Sequence, residues 1–348
     1  MAQYFCCVAG RVAGIVSVVR FDDRAETAEV VSQLAVGAKP MPIISEKSGR
    51  LCVAAGEDPV HFSTLELGRG GELSLVDSVP CPFPPTYMSF SPDRRLLAAV
   101  SYHQSRLAVV PVDDDGTVDG DAWQVQDTGR QPHCIVFSPD GRFAYHSELA
   151  EDRIVGHRVE GSELVQDPAL GVAFPAGDGP RHLAIDASGT HVYVIEELGG
   201  HLAHLTRSAE TGELTMVEQV DYFDEDDHLR KGLFVPPDRE PTVDEQEARM
   251  WGADIVLDPA RRWIVTSERR SSTLTLQSLA PDGSFGARLQ HVPTEIQPRG
   301  MGLVGAYHVV VGAEKGETAT FYRVGHELTE VATVKGLGGP IWMATVSA

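Results

Sequence analysis

Short runs rich in Val, Leu, Ile and Thr recur along the whole chain, and in them apolar and polar positions alternate. RLAVVPV from Arg106 and STLTLQSL from Ser272 are examples. A period of two predicts half-buried β-strands. Gly, Pro and Asp punctuate the runs in DDDGTVDG, SPDG, GDGP and PDGSFG, which are turn signals. No amphipathic helix of useful length is predicted.

The strands fall into a repeat. Seven apolar runs open just after a Pro or Gly: Pro40, Pro85, Pro132, Pro180, Gly252, Pro298 and Pro340. Their spacings are 45, 47, 48, 72, 46 and 42 residues, near the period of a four-stranded propeller blade. Only eight residues follow Pro340, enough for one strand. The rest of that blade must come from the N-terminus, through YFCCVA from Tyr4, GIVSVVRF from Gly14 and AEVVSQL from Ala28. The expected fold is all-β, one seven-bladed β-propeller domain over residues 1–348, with its ring closed by a blade shared between the termini. The long spacing places a charged, Pro-containing surface excursion at about 221–250. Solvated loop is the first reading of it, and a lid or subunit contact the second.

Composition narrows the partners. A net charge of −21 repels phosphate backbones and anionic membranes, so neither nucleic acid nor a membrane is an expected partner. No stretch approaches the roughly 20 apolar residues of a membrane helix. Five cysteines, Cys6, Cys7, Cys52, Cys81 and Cys134, are an odd number without a CxxC pair, which suggests reduced thiols. The N-terminal segment lacks a basic region followed by a sustained apolar run, so the expected location is cytoplasmic. The oligomeric state is left open.

The register turns the repeat into a prediction of a site. In a propeller the innermost strand of each blade begins on the face where the second strand ends. The residues one after each start are Met41, Thr86, His133, Arg181, Ala253, Arg299 and Ile341; those seventeen after are Glu57, Tyr102, Leu149, Glu197, Arg269 and Lys315. The closing blade adds a residue near Gly10 and Arg11. Inner-strand positions should be apolar unless they face solvent or a ligand, so one face is expected to gather His133, Arg181, Arg299, Glu197, Arg269 and Lys315, with Asp254 one step further in. Three Arg and a Lys suit a carboxylate or phosphate, and a His with a Glu offers proton transfer. The alternative is a set of Arg–Glu salt bridges between blades, and Asp254 is expected to brace a neighbouring Arg. His201 and His204, three apart on a strand, should face opposite ways and share no metal. The acidic run from Asp224 to Asp227 reads as solvated, and Cys6 and Cys7 as small core residues. The Gly-rich patches match no phosphate-binding fingerprint, and no cofactor or metal is expected.

The motifs QPHCIVFSPDGRFAY, GPRHLAIDASGTHVYVIEEL, WGADIVLDPARRWIVTSER, QPRGMGL and GGPIWM resemble the seven-bladed propeller lactonase family, which includes propeller-type 6-phosphogluconolactonases and the fungal 3-carboxy-cis,cis-muconate cyclase. The resemblance implies a catalytic set on His133, Arg181, Glu197 and Arg269, with His182 and Trp342 in the matching GPRH and GGPIWM motifs as further substrate-binding candidates. Three places depart from the pattern: Val256 stands where a His is usual, Glu196 where an Asn is, and Glu314–Lys315–Gly316 replaces Gln-Lys-Ser. The expected activity is hydrolysis of a small anionic lactone of the 6-phosphogluconolactone kind. Glu197 or His133 would activate water, Arg181 and Arg269 would hold the oxyanion, and Arg299 and Lys315 would hold the anionic tail. The alternatives are a cyclase or isomerase of an unsaturated dicarboxylate and a non-catalytic scaffold.

Overall fold

A computed structural model describes residues 3–45, 49–235, 242–243 and 248–347. Seven sheets follow one another around a ring. The first combines Pro340–Ser347 as its innermost strand with Gln3–Gly10, Ile15–Asp22 and Thr27–Ala35. This is the shared blade that the spacing predicts, here blade 1. The remaining innermost strands begin at Ile43, Tyr87, Pro132, Pro180, Gly252 and Pro298, in blades 2 to 7. Pro40 and Pro85 lie two or three residues ahead of their strands. Blade 4 carries a fifth strand, Val172–Ala173, on its third.

The turn motif has a local cause. In SPDG-type turns the leading polar side chain closes the hairpin between a blade's first two strands. Ser91 Oγ accepts from Leu96 N at 2.9 Å and Ser138 Oγ from Phe143 N at 3.1 Å. Asp186 accepts from His191 N at 3.0 Å and Asp258 from Arg262 N at 2.9 Å in the corresponding turns. Each side chain occupies a backbone donor that a tight turn would otherwise strand.

Packing is modular. The buried side chains form seven clusters, and each joins one pair of neighbouring blades around the ring. Cys6 and Cys7 are both buried and alternate across their strand into different clusters, Cys6 toward blade 7 and Cys7 toward blade 2. All five cysteines are buried. Gly252 stands where most blades carry Pro because Tyr222 Oη and Glu196 O crowd the place a Cβ would take.

The described part of the excursion after Asp221 is mostly exposed or half-buried, and 236–241 and 244–247 of the 221–250 span lie outside the described residues. Asp224 to Asp227 form a capped 3-10 turn, pinned to blade 6 by Arg288 to Asp224 at 3.1 Å and His291 to Asp227 at 3.0 Å. The chain then crosses toward blade 4. Gly232 N donates to Leu198 O at 2.8 Å, and Arg130 lies over Phe234. Among the described residues no helix is long and apolar enough to cross a membrane.

Candidate active site

A recurring β-bulge builds the mouth of the ring. Pairing between the first two strands slips at the residue after the start in four blades, between Pro132 and Ile135, Pro180 and His182, Gly252 and Ile255, and Pro298 and Gly300. Blade 1 slips in the same way between Pro340 and Trp342. An extra unpaired residue re-aims a side chain out of the sheet. The bulged positions include His133, Arg181 and Arg299, so the polar ring predicted from the register has a backbone cause. Ser147 pins the bulge at His133, accepting from Cys134 N at 3.1 Å and donating to Arg181 O at 2.7 Å.

At the centre stands a buried Arg–Glu–Arg triad. Arg181 Nε donates to Glu197 Oε2 at 2.7 Å, and Arg269 Nη2 donates to the same oxygen at 2.9 Å. Arg181 also reaches Ala253 O and, at 3.2 Å, His182 Nε2. Arg269 lies over the Trp251 ring at 3.7 Å and donates to Trp251 O and Gly252 O. Burial, with Arg181 and Arg299 nearby, pushes the Arg269 pKa down to about 9 against the opposing pull of Glu197. These bonds leave Arg181 Nη2 and Arg269 Nη1 without a protein acceptor among the described residues. The triad is thus both an inter-blade bridge and a rigid frame for two free N–H groups.

His133 is in the opposite condition. Its ring touches Tyr102 and His182 at centroid distances of 5.7 and 5.0 Å. Neither ring nitrogen hydrogen-bonds to the protein among the described residues, and Nδ1 is buried without a partner. Nε2 is therefore the nitrogen able to meet water. Burial and then Arg181 hold the imidazole pKa well below its ordinary value, so it is a neutral base at neutral pH.

The other candidates separate by depth. Asp254 accepts from His182 Nδ1 at 2.7 Å and from Met301 N at 2.7 Å, so it braces a histidine and the next blade rather than an arginine. Burial and Arg181 bring His182 down to about 4, and the neutral ring donates through Nδ1–H and accepts from Arg181 at Nε2. Tyr87 and Trp342 pack edge-on at 5.0 Å, with His182 against both, and floor the mouth. Tyr87, Trp342 and Asp254 also line a cavity of about 470 Å³ in the opposite half of the channel. Arg299 stays at the mouth, bonded to Glu314 at 3.1 Å. Lys315 is exposed and makes no hydrogen bond or ion pair among the described residues, so it does not join this cluster.

Of the departures, only Glu314 faces the mouth. Val256 is packed in the core between blades 6 and 7. Glu196 points away from Glu197 and bonds Gln219 and, at 2.8 Å, His201. Asp178, Glu196 and His201 bring ligand-type atoms within 4.8 Å of one another. That cluster is already neutralised: Lys231 Nζ sits 2.6 Å from Asp178, and the bond to Glu196 raises the His201 pKa. His204 turns elsewhere, onto Tyr193 and His191, as alternation predicts.

Sequence reasoning missed a set of glutamates that end second strands. Glu148 accepts from Gly129 N, His146 and Arg153, and Glu268 accepts from Trp251 N and Ser271. With Glu196 they occupy one register, sixteen residues after the starts at Pro132, Pro180 and Gly252. That recurrence was available as a signal. Glu148 and Glu268 anchor backbone N–H groups, whereas Glu196 bonds the side chains of Gln219 and His201.

A model described as "Lactonase, 7-bladed beta-propeller" matches residues 3–344. The chain belongs to this family. Similar proteins include the 6-phosphogluconolactonase of Serratia proteamaculans, 28% identical over 282 residues that cover 80% of this chain and 79% of the relative. That of Pectobacterium carotovorum is 27% identical over 327 residues, covering 92% and 91%. The structure is similar to that of the periplasmic gluconolactonase of Pseudomonas aeruginosa, with a TM-score of 0.81, 20% identity and 99% of each chain covered. It is also similar to virginiamycin B lyase of Staphylococcus aureus, with a TM-score of 0.56, 12% identity and 87% of each chain covered. The last two likenesses show the fold alone, a scaffold shared by proteins of different names.

Proposed function

We propose that the protein hydrolyses a small anionic sugar lactone of the 6-phosphogluconolactone class. The observation that carries this reading is His133: a neutral, unpartnered imidazole set by a bulge beside two guanidinium groups locked on Glu197. His133 Nε2 takes a proton from water as its oxygen attacks the lactone carbonyl carbon. The carbonyl electrons move to oxygen, and Arg181 Nη2 and Arg269 Nη1 stabilise that oxyanion. Collapse breaks the bond to the ring oxygen, which receives the proton back from His133 and leaves as the hydroxyl of the open-chain acid. Glu197 orients the two arginines, which both donate to its Oε2, and the proton transfer is assigned to His133.

Cyclisation of an unsaturated dicarboxylate is the second reading; the pairing of Arg181 and Arg269 on Glu197 makes them a single anion site beside His133, which supports hydrolysis. Membership of a lactonase family supports the same reading, and the buried cysteines, none in a disulfide, support a cytoplasmic location. The test follows lactones and carboxymuconates side by side by NMR with the purified protein. Ring opening of a phosphorylated hexonolactone above its spontaneous rate is expected. Turnover of a muconate with inert lactones would overturn the proposal.

A further inference from the structure

A second cavity, of about 260 Å³, opens beside the mouth where blades 1, 2 and 3 meet, and Arg11, Lys39, Met41, Glu57, Thr86 and His103 are among its walls. Arg11 follows the strand Gln3–Gly10, and its backbone N donates to Gly339 O at 2.9 Å, so the closing segment of the ring fixes its place. Its half-buried guanidinium has no carboxylate or carbonyl acceptor among the described residues. Its one polar contact is Met41 Sδ at 3.9 Å, and Arg299 Nη2 meets the same sulfur at 4.0 Å.

A thioether is a weak acceptor, so two cations flank it with Glu314, bonded to Arg299 and near Arg11, as their shared counter-charge. The other buried arginines are matched: Arg181 and Arg269 to Glu197, and Arg207 to Asp140 at 2.7 Å. Burial and then Arg299 depress the pKa of Arg11 against the pull of Glu314, and burial, then Arg11 and Arg299, depress that of His103, which fits positive potential along this wall. Around the mouth Arg11, Lys39, Arg181, Arg269 and Arg299 face Glu57, Glu197 and Glu314, a local positive excess within a chain of net charge −21. Tyr102 joins the cavity to the chemistry, since its ring lies 5.1 Å from His103 and 5.7 Å from His133.

We propose that this cavity holds a phosphomonoester borne by the substrate, gripped by Arg11, with Arg299 adding positive potential from behind Met41. Arg11 is the guanidinium of this wall without an anionic partner among the described residues, and a phosphomonoester offers it several charged acceptor oxygens. Lys39, paired with Glu57 at the outer rim, and His103 complete the wall. The inference rests on the lactonase reading and assigns its specificity, with Arg11 in the place that the sequence gives to Lys315.

The test compares wild type, Arg11→Gln and Arg11→Lys on a 6-phosphorylated hexono-δ-lactone and its unphosphorylated counterpart. Arg11→Gln should lower kcat/KM for the phosphorylated lactone roughly 10–100-fold, the worth of one or two charge-assisted hydrogen bonds. It should leave the unphosphorylated lactone within about twofold, and Arg11→Lys should recover part of the loss. Equal loss on both lactones, or none on either, would overturn the subsite, as would a loss confined to a lactone tailed by carboxylate instead of phosphate. Titration of inorganic phosphate followed by 31P NMR separates the two readings. If the wild type opens neither lactone yet binds phosphate and Arg11→Gln does not, the lactonase reading falls and the anion site stands. If the wild type does not bind phosphate, the anion site falls.

Discussion

The two sides of the ring's mouth use the same residue type in opposite ways. On the side of blades 5 and 6, Arg181 and Arg269 share Glu197 and are almost fully enclosed by protein. On the side of blades 7, 1 and 2, Arg11 faces a cavity with only a thioether for a hydrogen-bond partner among the described residues. A paired, buried guanidinium is architecture that can lend one free N–H; an unpaired one at a cavity wall is a recognition group. His133 sits between them and makes no hydrogen bond to the protein among the described residues. The arrangement divides labour: a rigid frame for the oxyanion, an unencumbered base, and an open grip for the tail.

The comparison predicts where stability should suffer and where it should not. Glu197→Ala strands two buried guanidinium groups and should cost about 3–5 kcal/mol in urea unfolding; a loss below ~1 kcal/mol would mean the triad is not structural. Acid is the next largest effect. His182 and His157 have folded pKa values lowered by burial to about 4 and about 3, against roughly 6.5 unfolded. Their contributions are complete above pH 6.5 and are lost as pH falls toward the folded values, about 2 kcal/mol each by pH 5. His201, with a raised pKa, works in the opposite sense. Unfolding followed from pH 7 to 5 should show a net fall, and a flat profile would contradict the neutral-imidazole assignments.

Asp254→Ala is expected to be milder, about 1–3 kcal/mol for leaving His182 Nδ1 and Met301 N without their acceptor. It should also lower kcat by loosening His182 against Arg181, with KM less affected. Smallest of all is Lys315→Ala, whose exposed amine makes no contact on the described surface. Its kinetics on a phosphorylated lactone should match wild type within about twofold, and a larger loss would return Lys315 to the substrate.

Much of this was legible in the chain. The seven starts gave the ring, its shared blade, and the positions of His133, Arg181, Glu197, Arg269 and Arg299, because a repeat in register assigns equivalent places to equivalent residues. Pairing within the site was not legible. Two adjacent glutamates, Glu196 and Glu197, differ only in which face of the chain they leave, and one serves the blade interior while the other serves the mouth. The link from His182 to Asp254 spans 72 positions between blades whose spacing is itself irregular. Arg11 lies in a turn of the closing blade, where the register runs out. The excursion's contacts with Arg288, His291 and Leu198 depend on a path that its charged composition does not reveal.

The most direct measurement is the steady-state rate of His133→Gln against wild type on phosphorylated and unphosphorylated hexono-δ-lactones, corrected for spontaneous opening. Loss of the base should lower kcat by roughly 10²–10⁴-fold on both substrates alike, leaving the preference for phosphate intact. A His133→Gln protein that opens either lactone at the wild-type rate would contradict the assignment of His133 as the base.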